Sequence, residues 1–194
     1  MIDLLQLPPD VCYSGGSKGA DKLFGECAEA AGHEVVHGGF GNHFSPCKKE
    51  TIRQLPYVEL VKADPHLKKC NERLQRTFPT RSEYVNNLLR RNYFQIIYSD
   101  RIYAATAMND DYVPFGGTAW AILMGIDRGI KEVYVFDWGK DKWFFYNGYT
   151  WNEIELKDIP HPYGKYAGIG SSELPENGQQ AIRDLYGKTS QPSI

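Results

Sequence analysis

Three times in this 194-residue chain an apolar run reaches a glycine turn and then passes into a helical pattern. The turns are Gly15-Gly16-Ser17-Lys18-Gly19, Gly116-Gly117-Thr118 and Gly168-Ile169-Gly170-Ser171-Ser172. Strand-to-helix passages repeated in this way join parallel strands, and their crossovers lay helices on both faces of a sheet. The expected fold is therefore α/β, a Rossmann-like three-layer arrangement around a mainly parallel sheet.

The rest of the chain fits that frame. Val11-Cys12-Tyr13 reads as a strand, and the helix after it places Leu23, Phe24, Cys27 and Ala31 on one face. Gly32 ends that helix, Glu34 to His37 reads as the next strand, and Gly38 to Pro46 as a loop. Lys48 to Leu60 and Pro65 to Phe78 carry interrupted, polar helical patterns. From Arg81 to Tyr98 the spacing predicts one long helix, capped near Ser82, with Val85, Leu88, Leu89, Phe94 and Ile97 facing inward. Asp100 to Ala107 and Glu132 to Asp137 read as strands on either side of a helix from Thr118 to Arg128. Trp143 to Tyr149 and Trp151 to Leu156 alternate around Asn147-Gly148 and predict a small β-hairpin extension. The last strand and helix are Tyr166 to Gly170 and Leu174 to Tyr186.

In a parallel sheet such turns lie at the C-terminal ends of the strands, where ligands bind. Glycine lets the backbone approach a phosphate closely, and a helix N-terminus offers unpaired N–H groups with partial positive charge. The hydroxyls of Ser14, Ser17, Thr118, Ser171 and Ser172 add donors, and Lys18 is a further phosphate partner or a solvated turn residue. Asp21 is either the cap of the first helix or an acceptor for a ribose hydroxyl. Glu26 is expected to face solvent, and Trp120 to join the core. Arg90 and Arg91 read as one surface face of the long helix. SGGSKGAD satisfies neither the dinucleotide fingerprint nor the P-loop.

Composition removes several classes. A net charge of −2 supplies no global basic field, so nucleic acid is not the expected partner. Cys12, Cys27, Cys47 and Cys70 show no zinc spacing, His37 and His43 lack a third ligand, and neither metal nor cofactor is expected. No apolar run reaches membrane-spanning length, and MIDLLQLPPD does not read as a secretory leader. A cytoplasmic protein with reduced thiols is the expectation, organised as one domain over residues 1–194.

YSGGSKGAD, the run from Asp100 to Ala105 followed by FGGTAWAI, and YAGIGSSELP together resemble the SLOG superfamily, the Rossmannoid group of DprA-like, YpsA-like and LOG-type proteins. In that group a GIGSR-type turn opens the domain on its first strand. Here the similar turn comes last, so the resemblance is to circularly permuted YpsA-like members. It covers residues 11–40 and 81–187, with 41–80 and 138–163 as insertions.

The resemblance implies a nucleotide-binding domain, acting as a homo-oligomer, that contacts its ligand through Ser14, Gly15, Gly16, Ser17, Lys18, Asp21, Arg91, Gly116, Gly117, Thr118, Gly168, Gly170, Ser171 and Ser172. LOG-type members cleave nucleoside monophosphates with an arginine and with a glutamate inside PGGxGTxxE. Arg91, nine residues before Asp100, matches the arginine, but the glutamate position is Ala121. The function implied is therefore sensing or sequestering of a nucleotide or NAD-derived, ADP-ribose-like molecule. The alternative is a nucleotide hydrolase or N-glycosidase working through Arg91, Asp21 and Glu26. Glu173 replaces the basic residue common after the third turn, which favours a less charged ligand group there.

Overall fold

The structure is a computed structural model that describes residues 9–187. Residues 1–8, most of the segment read as lacking a leader, lie outside the described residues. In chain order the main elements are β1 (Val11–Ser14), α1 (Ala20–Ala30), β2 (Glu34–Gly39), β3 (Ile52–Gln54), α2 (Tyr57–Leu60), α3 (Asp64–Leu74), α4 (Glu83–Ile97), β4 (Arg101–Thr106), α5 (Thr118–Asp127), β5 (Glu132–Asp137), β6 (Lys142–Tyr146), β7 (Trp151–Ile154), β8 (Lys165–Gly170) and α6 (Glu176–Gly187).

The strands form one sheet in the order β3-β2-β1-β8-β4-β5-β6-β7. The first six of these run parallel, and β6 and β7 add antiparallel at one edge. β8 lies between its neighbours with Tyr13 opposite Ala167 on one side and Ala104 opposite Ile169 on the other. The strand that comes last in the chain among the described strands thus lies in the middle of the sheet. The β6–β7 hairpin pairs Tyr146 with Trp151, as its alternation predicted.

Successive side chains of each strand point to opposite faces, so each strand feeds two cores. Ile102 and Ala104 of β4 and Ile169 of β8 pack with Leu89, Ile96, Trp120 and Ile122 under α3, α4 and α5. Tyr103 and Ala105 of β4 and Tyr166 of β8 pack with Phe24, Ala28, Ile182 and Leu185 under α1 and α6. Helices on both faces complete the three layers. Among the described residues no helix is long and apolar enough to cross a membrane, and no cluster of three metal-ligating side chains occurs.

Four local expectations are corrected. The helix expected from Lys48 to Leu60 is instead a short turn, β3 and the single turn α2. Three-residue β3 is held by backbone pairing to His37, Gly38 and Gly39, with Arg53 and Gln54 exposed, so no hydrophobic alternation marks it. β2 runs on through Gly38-Gly39, which had read as loop. Val85 faces solvent, whereas Arg90 is buried and bidentate to Asp64 at 2.6 and 3.0 Å, with Glu83 as a further partner. Polar anchoring replaces apolar packing along the first turns of α4, with Asn86 accepting from Thr80 N at 2.7 Å.

Candidate functional site

Two neighbouring turns are tied together by one acid. Asp21 is the second residue of α1 and is buried, while Gly19 occupies the cap position with no side-chain cap bond. Asp21 is therefore not the cap that sequence allowed. Its Oδ2 accepts from Ser17 N at 3.4 Å in the β1 turn, and its Oδ1 accepts from Gly170 N at 3.3 Å in the β8 turn. Ser14 Oγ donates to the Asp21 carbonyl at 3.0 Å. Burial pushes the Asp21 carboxyl up to about 6, against the opposing pull of Arg91. Gly19 itself is held left-handed at φ 81°, and a Cβ there would meet the carbonyls of Ser171 and Ser172 at 2.5 Å. Only glycine lets the two turns come this close.

Arg91 reaches the same turns from α4. It is buried, with Nη2 3.6 Å from Asp21 Oδ2, and Nη1 donates to the Gly15 carbonyl at 2.5 Å and to Ser17 Oγ at 3.0 Å. Nη1 also donates to His43 Nε2 at 2.9 Å, which makes that nitrogen an acceptor and puts the imidazole proton on Nδ1. Burial, reinforced by the guanidinium, lowers His43 to about 4. Burial likewise lowers His37 to about 4, with Arg91 a lesser contributor. Arg91 and Asp21 offset each other, so this corner of the site carries little net charge. Three donors nevertheless remain unused: Arg91 Nε, Gln95 Nε2 and the protonated His43 Nδ1 are buried without a hydrogen-bond partner. A buried polar group left unpaired costs about 1–3 kcal/mol, so each calls for an explanation.

These residues open onto a cavity of about 260 Å³ at the C-terminal ends of β1, β8 and β4. Of the expected contacts, Ser17, Asp21, Arg91, Gly116, Gly117, Thr118, Gly170, Ser171 and Ser172 line it. Ser14, Gly15, Gly16 and Gly168 do not. Gly15 and Gly16 serve behind the wall, with the Gly16 carbonyl accepting from Ser45 Oγ at 2.6 Å, and Gly168 sits in the sheet against Phe24 and Cys12. Lys18 is exposed and lies outside the lining. Glu26 is exposed too, paired with Lys22 at 2.9 Å on the outer side of α1 in a separate cavity, so it cannot replace the missing glutamate. Ala121 does line the cavity, and Trp120 is core beside Phe78.

The Gly116-Gly117-Thr118 turn forms another wall. α5 starts at Thr118 with no side-chain cap, which leaves its first N–H groups without intrahelical acceptors. Gly116 has φ 62° with open space around its Cβ position, whereas Gly117 is ordinary αR backbone. Asn92 Nδ2 donates to the Gly117 carbonyl at 3.0 Å. Arg76 donates to the carbonyls of Gly116 and Pro114 at 2.7 and 3.0 Å. Among the described residues no carboxylate pairs with Arg76, so its charge stays beside this turn. Arg76, His43 and Ser45 all come from the 41–80 segment, which is thus built into the site. Sequence reading passed over Leu88, Leu89, Gln95, Ile169 and these second partners. Gln95 was within reach, because it lies four residues after Arg91 and so shares its helix face.

The fold and the cavity together define a Rossmann-like α/β protein with a ligand-sized site at the carboxyl ends of its central strands. No protein-family model matches the chain, and no curated protein matches it. One solved structure, a "putative molybdenum carrier protein" from Syntrophus aciditrophicus SB, aligns over 91% of this chain and 93% of its own, with 16% identity and a TM-score of 0.48. At that distance the likeness carries neither a ligand nor a function across.

Proposed function

We propose that this cavity binds a phosphate-bearing nucleotide or NAD-derived, ADP-ribose-like molecule, which the protein senses or sequesters rather than transforms. The supporting observation is the convergence on one 260 Å³ space of an uncapped helix N-terminus, glycine-rich turns and the polar residues Ser17, Arg91, Asn92 and Gln95. N–H groups of this kind are matched by phosphate and hydroxyl oxygens. Ala121 provides no carboxylate, and Asp21 is the one acid in the lining. A second reading, nucleotide hydrolysis, draws on the Asp21 carboxyl near 6 beside a buried guanidinium, since acids tuned toward neutrality occur at catalytic centres.

The same proposal takes the chain as one circularly permuted SLOG-type domain, cytoplasmic and homo-oligomeric. Its support is the central place of β8, the strand whose turn resembles the opening turn of that group. The test is to denature the purified protein and identify released small molecules by mass spectrometry, then to incubate wild type and Arg91→Ala with AMP and ADP-ribose. Intact nucleotide, unchanged over hours and bound roughly ten- to a hundredfold more weakly by Arg91→Ala, is the expected result. Release of free base and ribose phosphate, abolished by Arg91→Ala, would overturn sequestration in favour of hydrolysis.

A further inference from the structure

We infer that Tyr84 is the platform on which the ligand's base stacks at the mouth of the cavity, so that the base is recognised as well as the phosphate and sugar. This rests on the nucleotide reading above and adds a base contact to it. Positions three and four apart share a face of a helix, which places Tyr84, Leu88, Arg91 and Gln95 on one stripe of α4. The last three line the cavity, and Tyr84 carries the stripe one turn beyond them, outside the lining. That turn is at the open end. α4 runs from the cavity end of the sheet back to the start of β4, so its N-terminus stands above the strand ends. Helical side chains lean toward the N-terminus of their helix, which tips Tyr84 and Leu88 toward the mouth.

The Tyr84 ring is held in place and left partly bare. Phe40 packs against it with ring centroids 5.7 Å apart and planes at 58°, while 41% of the residue stays exposed. Phe40 in turn stacks on His43 at 5.1 Å, and His43 Nε2 meets Arg91, so this aromatic rim is continuous with the site. The Tyr84 hydroxyl lies within electrostatic reach of the Arg91 guanidinium. A cavity of about 260 Å³ falls below the roughly 300–1,000 Å³ of sites that enclose a small ligand, so a nucleotide seated here projects from it. The groups inside, Ser17, Arg91, Asn92, Thr118 and Ser172, suit phosphate and ribose oxygens. The part left to project is the flat, apolar-faced base. An exposed aromatic ring and a heterocycle both gain by covering each other.

Calorimetric titration of AMP and ribose 5-phosphate into wild type, Tyr84→Phe and Tyr84→Leu tests this. A base stacked on an aromatic ring gains about fivefold or more in affinity, and wild type should prefer AMP over ribose 5-phosphate by at least that factor. Tyr84→Phe keeps the ring and should hold the AMP affinity within about threefold. Tyr84→Leu keeps an apolar contact for Phe40 but offers no ring face. It should weaken AMP by about fivefold or more and leave ribose 5-phosphate unchanged. Equal wild-type affinities for the two ligands, or full AMP affinity in Tyr84→Leu, would overturn the platform while leaving phosphate and sugar binding intact. Equal losses of both ligands in Tyr84→Leu would overturn it too, by making Tyr84 a support for Arg91. A loss in Tyr84→Phe as large as in Tyr84→Leu would do the same by assigning the effect to the hydroxyl. Failure of both ligands to bind wild type would remove the nucleotide reading and the platform with it. The wild-type comparison and Tyr84→Phe stand even if Tyr84→Leu does not fold.

Discussion

Replacing Asp21 by asparagine should change how stability depends on pH by an amount that the burial of this one carboxyl dictates. In the folded protein its pKa is raised to about 6, whereas in the unfolded chain it returns to about 3.9. A group raised on folding contributes its stability fully below the unfolded value and loses it as pH rises through the folded one. Between about pH 5 and about pH 7.5 the wild type should therefore lose roughly 1.4 kcal/mol from Asp21 alone. Asp21→Asn cannot titrate. It should be less stable throughout, because one amide oxygen must replace two carboxylate oxygens that serve Ser17 N and Gly170 N. The histidines are common to both proteins and cancel in the difference. Urea unfolding of both proteins across this range measures the gap between them, which should shift by about 1.4 kcal/mol toward the variant as pH rises. A gap that stays constant with pH would refute the buried, raised carboxyl.

Two further outcomes are expected. His37, buried and lowered to about 4, has the opposite sign: its contribution is present above about pH 6.5 and is lost as pH falls toward 4, by roughly 3 kcal/mol. His37→Leu should flatten that acid limb in urea melts, and an unchanged limb would assign the lability elsewhere. Gly117→Val should weaken AMP binding by about tenfold or more with little change in thermal midpoint. A Cβ there meets only Asn92 Nδ2 at 3.6 Å and Leu89 at 3.9 Å, and φ is already helical, so the valine fills the cavity without straining the turn. Full affinity for AMP in this variant would take the Gly116-Gly117 turn out of the site.

The layered fold was legible because its signals are local: glycine turns, hydrophobic periodicity and the Asn147-Gly148 hairpin each act over a few residues. Asp21 and Arg91 were legible as site residues for the same reason, one beside a glycine turn and the other at a fixed spacing from a strand. Their roles were not. Asp21 as a brace between Ser17 and Gly170 depends on β1 and β8 lying side by side, a pairing made across nearly the whole chain. Arg90 was misread as surface because Asp64, its bidentate partner, is brought to it only by the packing of α3 on α4, while Glu83 adds a partner from α4 itself. β3 left no trace because a three-residue edge strand needs backbone partners and no apolar face. Lys18 and Glu26 looked suitable by type and position, but α1 turns Glu26 outward and the β1 turn leaves Lys18 in solvent.

The place of β8 has a consequence for how such a chain comes together. Among the described strands it is the last to emerge during synthesis, yet it joins β1 to β4. Until it arrives, β3-β2-β1 and β4-β5-β6-β7 share no ladder, and each half presents an unpaired inner edge. Closing the sheet requires contacts between distant parts of the chain, which are slow to form. We therefore expect a ribosome-bound chain that has not yet extruded β8 to hold neither half in register and to have no ligand site, since Asp21 has no Gly170 to brace. Shortening the chain before Lys165 should yield two adhesive half-sheets prone to aggregate, and the keystone strand would have to be supplied in trans to restore the protein.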